Sequence, residues 1–116
     1  MRKSFLFLDT VENKVDAKGR VSLPSDWRAI VKDSDSEIVC YRSLSSPCIE
    51  GCLEDMLEKL ATEMENSLDF FSEEQDDISN LIFGDAKRYP FDSTGRIMLS
   101  EKLLKHAQIT NSAVFV

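Results

Sequence analysis

The sequence predicts an α+β fold in which two short β-hairpin units flank a helical segment. The pattern D-x-x-G-R-[VI]-x-L occurs twice, each copy precedes a helix-like segment and a β-like run, and apolar residues at helical spacing lie between the copies. The 116 residues are enough for one domain or two very small ones. Hydrophobic residues at 42% and charged residues at 30% are typical of a globular protein.

The two copies of the pattern align without a gap at a spacing of 76 residues. Residues 16–23 match residues 92–99, and the helix-like and β-like segments follow in the same order. The helix-like segments are 24–31 and 100–107, and the β-like runs are 37–41 and 113–116. Such internal similarity predicts one supersecondary unit built twice.

The chemistry of each copy favours a tight hairpin turn. The aspartate accepts backbone N–H groups at the start of a type I turn, and the glycine adopts positive φ at its end without a steric penalty. We therefore expect Asp16, Gly19, Asp92 and Gly95 to shape the turns. Arg20 and Arg96 then emerge just beyond them.

Beyond each turn, side chains alternate between two faces of a strand. Val21 and Ile97 are expected to face the core, while Ser22 and Met98 face the other way. An isolated hairpin of this size is not stable in water, so it needs the second copy or another chain.

The intervening segment predicts two helices. Leu53, Met56, Leu57, Leu60 and Met64 follow helical spacing and form one apolar stripe. A shorter stripe of Ile78, Leu81 and Ile82 precedes Gly84, which we expect to end the second helix. We interpret both stripes as packing surfaces rather than ligand sites.

The formal net charge of −7 argues against a nucleic-acid partner, but its distribution does not. Residues 50–77 carry eleven acidic residues and one lysine, a local charge of −10, so the rest of the chain carries +3. This asymmetry fits a molecule with one binding face and one repelling face, or a solvated acidic helix pair.

Neither a metal, a cofactor nor enzymatic activity is predicted. Cys40, Cys48 and Cys52 are too few for a disulfide framework and lack a second paired cluster for zinc. His106 has no nucleophile or carboxylate pattern around it. The apolar N-terminal run is too short for a signal peptide, so we expect a cytoplasmic protein without a membrane partner.

The two motifs resemble those of the MraZ family. Lys18-Gly19-Arg20-Val21-Ser22-Leu23-Pro24 with Trp27-Arg28 is similar to the first motif, and Asp92-x-x-Gly95-Arg96-Ile97-x-Leu99 with Leu103 and Ala107 to the second. With the helical hairpin between them, the resemblance covers essentially the whole chain.

The resemblance implies two AbrB-like swapped-hairpin β-barrel half-units, at 1–49 and 85–116, with an acidic helical hairpin at 50–84. It also implies a ring-like homo-oligomer that binds direct repeats in double-stranded promoter DNA. Such a protein would be nucleoid-associated and repress the division and cell-wall gene cluster. No small-molecule substrate is implied.

The residues that the resemblance assigns to DNA are Lys18, Arg20 and Arg96, with Asp16 and Asp92 holding the turns. The second copy departs from the family pattern at three positions. Thr94 stands where a basic or amide residue would strengthen the turn, and Ser100 replaces a proline. Val116 falls within a β-like run. We therefore expect the second turn to contact DNA less, and the second unit to be incomplete at its C-terminal end.

Three alternatives stay open at this point. Each arginine could pair with its own turn aspartate and serve only rigidity. The chain could be an AbrB-like antitoxin or scaffold that uses its acidic segment to hold a partner. A small hydrolase would have to rely on the cysteines and His106.

Overall fold

A computed structural model describes residues 6–65 and 73–116. This part of the chain contains seven short strands and four helices, which confirms the predicted α+β class. The elements are β1 (Val11–Lys14), β2 (Arg20–Ser22), α1 (Ser25–Ser34), β3 (Ile38–Arg42), β4 (Ile49–Leu53), α2 (Glu54–Glu65), α3 (Glu73–Asp85), β5 (Lys87–Arg88), β6 (Arg96–Met98), α4 (Glu101–His106) and β7 (Ser112–Phe115).

The two copies of the repeat pair with each other. Strands β2 and β6 are antiparallel, with Val21 opposite Ile97, and these two residues are equivalent in the repeat alignment. Strand β1 of the first copy pairs with β7 of the second, and β5 of the second pairs with β3 of the first. The chain therefore carries an approximate two-fold axis that passes through the Val21–Ile97 pair.

The core lies beneath this axis and draws on both copies. Val21 and Ile97 are 1% and 3% exposed, as the predicted alternation along the strands requires. Residues from α1, β3, β4, α4 and the connecting segments complete the buried cluster, including Trp27, Val31, Ile38, Cys40, Leu53, Tyr89, Leu99 and Leu103. Burial of this apolar surface stabilises the pairing that neither hairpin could maintain alone.

The helical segment packs through only part of its predicted stripes. In the first stripe Leu53 and Leu57 are buried, whereas Met56 is 53% and Leu60 37% exposed. The side chain of Met64 lies outside the described residues. In the second stripe Ile78 and Leu81 are exposed, and α3 ends at Asp85, one residue after the expected stop at Gly84.

Asp85 ties the end of α3 to both halves of the molecule. Its carboxylate accepts hydrogen bonds from the backbone N–H and the guanidinium of Arg42 on β3, and it lies 3.1 Å from Nζ of Lys102 on α4. The hydrogen bonds from Arg42 hold the pKa of Asp85 well below its usual range. The carboxylate is therefore ionised at neutral pH and anchors the helical segment.

The small antiparallel sheets do not close into a barrel within residues 6–65 and 73–116. The swapped-hairpin arrangement and the boundaries 1–49, 50–84 and 85–116 stay predictions, although strands of the first and third segments share one core. Among the helices in the described part of the chain, none combines the length and apolar character needed to cross a membrane.

Candidate nucleic-acid interface

The first turn is built around the carboxylate of Asp16. The backbone closes through hydrogen bonds from the N–H of Asp16 to the carbonyl of Arg20 and from the N–H of Gly19 to the carbonyl of Asp16, both 3.0 Å. Asp16 Oδ1 also accepts the backbone N–H groups of Lys18 and Arg20 at 2.9 Å. Its second oxygen, Oδ2, accepts a hydrogen bond from Nε of Arg20 at 2.6 Å. The side chain of Asp16 therefore fixes both the turn and the arginine.

The second turn repeats this backbone arrangement with one addition. Asp92 Oδ1 accepts the backbone N–H groups of Thr94 and Arg96, at 2.9 and 3.0 Å. The Thr94 hydroxyl donates a hydrogen bond to the same oxygen at 2.8 Å and accepts one from Nε of Arg96, also at 2.8 Å. Thr94 therefore positions Arg96, a role that the sequence pattern did not indicate.

Both turn glycines have the predicted positive φ, +84° at Gly19 and +79° at Gly95. Their surroundings differ. A Cβ atom on Gly19 would lie 2.8 Å from the backbone carbonyl oxygen of Leu99, whereas one on Gly95 would lie 2.7 Å from Nη1 of Arg28. The first turn thus packs against the backbone of Leu99, and the second packs against the side chain of Arg28.

The two arginines meet on one outward face. Nη1 of Arg96 lies 3.6 Å from Asp16 Oδ2, the oxygen that accepts Arg20, so both guanidinium groups contact a single carboxylate. Arg20 pairs with Met98 and Ser22 with Arg96 across the β2–β6 ladder, and Val21 and Ile97 between them face the core. Because paired residues share a face, all four side chains point outward. We call this face, formed by Arg20, Ser22, Arg96 and Met98, the ribbon face.

The charges on the ribbon face are ion-paired but accessible. The arginine side chains are 36% (Arg20) and 31% (Arg96) exposed. Hydrogen bonds from the backbone of Arg20 lower the pKa of Asp16, and those from the backbone of Arg96 and the Thr94 hydroxyl lower the pKa of Asp92 to about 2. Both aspartates are therefore ionised at neutral pH, and they orient guanidinium groups whose outer N–H donors suit phosphate or guanine.

Lys18 lies at the tip of the first turn and is exposed. Its backbone N–H is bound by Asp16, so the turn fixes its position while the ammonium remains in solvent. At the equivalent tip of the second turn stands Thr94, which is uncharged. The structure therefore brings Arg20 and Arg96 together on the ribbon face and leaves a lysine at one end of it.

Other predicted or rejected candidates lie elsewhere. Trp27 is buried, and its indole N–H donates to the carbonyl of Leu8 at 2.8 Å, as expected for a core residue. Burial raises the pKa of the Cys40 thiol to about 12, and Nε2 of His106 lies 3.0 Å from the Ser46 carbonyl. Within the described ranges, no three His, Cys, Asp or Glu side chains are grouped as a metal site would require.

Arg28 belongs to the first motif, but the motif assigned it no role at this surface. It belongs to α1 of the first copy, yet its guanidinium lies over Gly95 of the second turn. A signal was present, because the equivalent residue in the repeat alignment is Leu104, and a charged residue at an otherwise apolar position calls for a partner.

Proteins of similar sequence place the chain in a functional class. It is 44% identical to the transcriptional regulator MraZ of Pelagibacter ubique (strain HTCC1062) over 96% of this chain and 72% of that protein. It is 41% identical to the transcriptional regulator MraZ of Rickettsia canadensis (strain McKiel) and 42% identical to that of Rickettsia rickettsii (strain Sheila Smith), in each case over 96% of this chain and 74% of the relative. The class is that of bacterial transcriptional regulators.

The family follows from a second comparison. Residues 6–80 match the family model of MraZ protein, which is described as antitoxin-like. With the identities above, this shows that the chain belongs to the MraZ family, as the two motifs predicted.

Proposed function

We propose that this chain is a sequence-specific DNA-binding repressor that acts as a homo-oligomer on direct repeats upstream of the division and cell-wall gene cluster. The observation that carries the proposal is the shared position of Arg20 and Arg96, which contact one carboxylate on one outward face. Two arginines buried in the core, or on opposite sides of the molecule, would have contradicted it. The names of the relatives support regulation of transcription.

The shape of the ribbon face suits a DNA groove. A two-stranded β-ribbon fits the major groove, which is about 12 Å wide, and an arginine there can donate two hydrogen bonds to guanine, with discrimination on the order of 1–3 kcal/mol. In this arrangement Arg20 and Arg96 contact base edges, while Lys18 at the turn tip contacts a phosphate. The aspartates hold the arginines in place before binding, which lowers the entropic cost of ordering them.

Oligomerisation compensates for the small number of cations on one chain. A net charge of −7 and an acidic segment make binding by a single copy weak. Several linked copies gain roughly 10²–10⁴ in affinity through avidity, and repeats spaced about 10 bp apart would present the same groove face to successive subunits. The swapped-hairpin fold belongs to the same proposal and is supported by the pairing of β1 with β7, β2 with β6 and β3 with β5.

The test is a mobility-shift titration with the promoter region upstream of the cluster, over a series of salt concentrations. Arg20→Ala and Arg96→Ala should each weaken binding about tenfold or more, as expected for the loss of a bidentate contact to guanine, while circular dichroism and oligomer size stay unchanged. Arg88→Ala is the matched control, because Arg88 lies on β5 in a different sheet and pairs with Glu54. Wild-type affinity in both ribbon variants, or their unfolding, would instead assign the arginines to structure alone.

The antitoxin or scaffold function is the second candidate, and two observations favour it. The family model is described as antitoxin-like. In addition, Met56 and Leu60 are exposed on the acidic helix α2, which suits a partner with basic and apolar groups. Co-purification of such a partner, without a saturable DNA shift, would support this function over the repressor.

A further inference from the structure

Arg28 reaches from the first copy of the repeat to the turn of the second. It lies in the first half of α1, and its side chain lines an open cleft of about 350 Å³ beside β2. A Cβ atom on Gly95 would lie 2.7 Å from its Nη1, 3.5 Å from its Cδ and 3.8 Å from its Cζ. The guanidinium therefore covers the glycine that precedes Arg96.

This guanidinium lacks a counter-ion among the described residues. Its Nε is buried and has no hydrogen-bond partner there. The ion pairs within residues 6–65 and 73–116 involve other arginines and lysines. A half-buried cation without a partner among the described residues is costly, so its retention calls for an anion that these residues do not supply.

The approximate two-fold axis shows that packing alone does not require the charge. Leu104 is equivalent to Arg28, and its Cδ1 would lie 3.1 Å from a Cβ on Gly19. Both residues thus cover the glycine of the opposite turn, and a leucine is sufficient at one of the two places. The first turn carries Lys18 at its tip, whereas the second carries the uncharged Thr94. The second turn therefore lacks a cation at its tip, and Arg28 covers the glycine of this same turn.

We propose that Arg28 is a third DNA-binding arginine, which contacts a backbone phosphate at the second turn and replaces the cation that Thr94 does not provide. This inference rests on the proposed DNA-binding function. Asp9 and Asp26 line the same cleft, and neither forms an ion pair with Arg28. Their negative charges disfavour a phosphate inside the cleft, so the proposed contact is made at the second turn. A phosphate contact adds affinity without sequence preference, in contrast to Arg20 and Arg96.

The experiment measures the affinity of the full chain for two duplexes, the promoter region and a scrambled duplex of the same composition, as salt is varied. Log K falls linearly with log salt, and each phosphate contact adds about 0.9 to the steepness of this slope. Arg28→Leu should lower that slope by about 0.9 per bound chain and weaken binding to both duplexes by the same factor. Arg28→Lys should retain most of the slope. Lys59→Leu, which removes one charge from α2, should leave the slope unchanged.

A second neutral variant serves as the control for a change in folding. Arg28→Leu should be at least as stable as the wild type, because leucine fills the equivalent place at Leu104. If it is less stable, Arg28→Gln gives the decisive measurement, since glutamine keeps a polar side chain without the charge. A reduced slope with Arg28→Gln supports the proposal, and a wild-type slope overturns it.

Failure of this inference is distinguishable from failure of the proposed function. If Arg20→Ala weakens binding about tenfold or more while Arg28→Leu binds like the wild type, the phosphate contact is wrong and the repressor stands. If the wild-type chain binds neither duplex, both proposals fall. A loss of affinity confined to the promoter duplex would also overturn the proposal, because it would show that Arg28 reads bases.

Discussion

The two turns of the molecule share a backbone but differ in what surrounds it. In each, an aspartate accepts the N–H groups ahead of it and a glycine adopts positive φ. The first turn presents Lys18 and is held against the backbone of Leu99; the second presents Thr94, which uses its hydroxyl to fix Arg96. Aspartate and glycine therefore determine the turn, whereas the tip residue differs between the copies and determines which charges the turn presents.

The largest effect is expected from alanine at the turn glycines. Both substitutions place a Cβ at positive φ, but on Gly19 it would meet the Leu99 carbonyl, which is backbone, and on Gly95 it would meet the movable end of Arg28. Gly19→Ala should therefore lower the free energy of unfolding by about 3 kcal/mol and Gly95→Ala by about 1–2 kcal/mol. Chemical denaturation of both variants measures the difference. Equal losses would show that the turns are equivalent after all.

Acid should remove the stability that the turn aspartates contribute. The folded pKa of Asp92 is about 2, below its ordinary value of 3.8. Its contribution to stability is therefore present above about pH 4 and is lost as the pH falls towards about 2. The difference in unfolding free energy between wild type and Asp92→Asn should shrink over that range, and the same should hold for Asp16→Asn, since the pKa of Asp16 is also lowered.

Subtracting each asparagine variant from the wild type removes the contribution of other carboxylates, including Asp85. Denaturation curves at several pH values give the required free energies. A difference that stays constant between these pH limits would show that the carboxylate charge does not stabilise the turn.

The smallest effect is expected from exchanging the turn tips. Thr94→Lys should raise the slope of log K against log salt by about 0.9 in DNA binding, and Lys18→Thr should lower it by the same amount. The double variant should return to the wild-type slope. Thr94→Lys also removes the hydroxyl that links Asp92 to Arg96, so Thr94→Val serves as its control, with a loss of stability of about 0.5–1 kcal/mol. Unequal shifts in slope would show that the two tips lie at different distances from the phosphates.

Local chemistry made the turns predictable. Asp16, Gly19, Asp92 and Gly95 act within five consecutive residues of each copy, so the motif alone indicated their hydrogen bonds and positive φ. The inward position of Val21 and Ile97 followed in the same way from alternation along a strand. The α+β class then followed from the order of the segments.

Long-range contacts were not predictable from the pattern. The meeting of Arg20 and Arg96 at Asp16 depends on the register of β2 with β6, which no local signal fixes. The position of Arg28 over Gly95 was not predictable for the same reason, because Gly95 belongs to the other copy. The exposure of Met56 and Leu60 also departs from the periodic pattern, which marks an apolar face but not whether another element covers it.

The pairing of Ser22 with Arg96 has a consequence for synthesis of the protein. As the chain leaves the ribosome, its N-terminal hairpin emerges long before the strand that completes it. Loop closure over so long a separation is entropically unfavourable, so we expect β2 and β6 to pair late in folding. A nascent chain therefore has no complete ribbon face until β6 has left the ribosome and paired with β2.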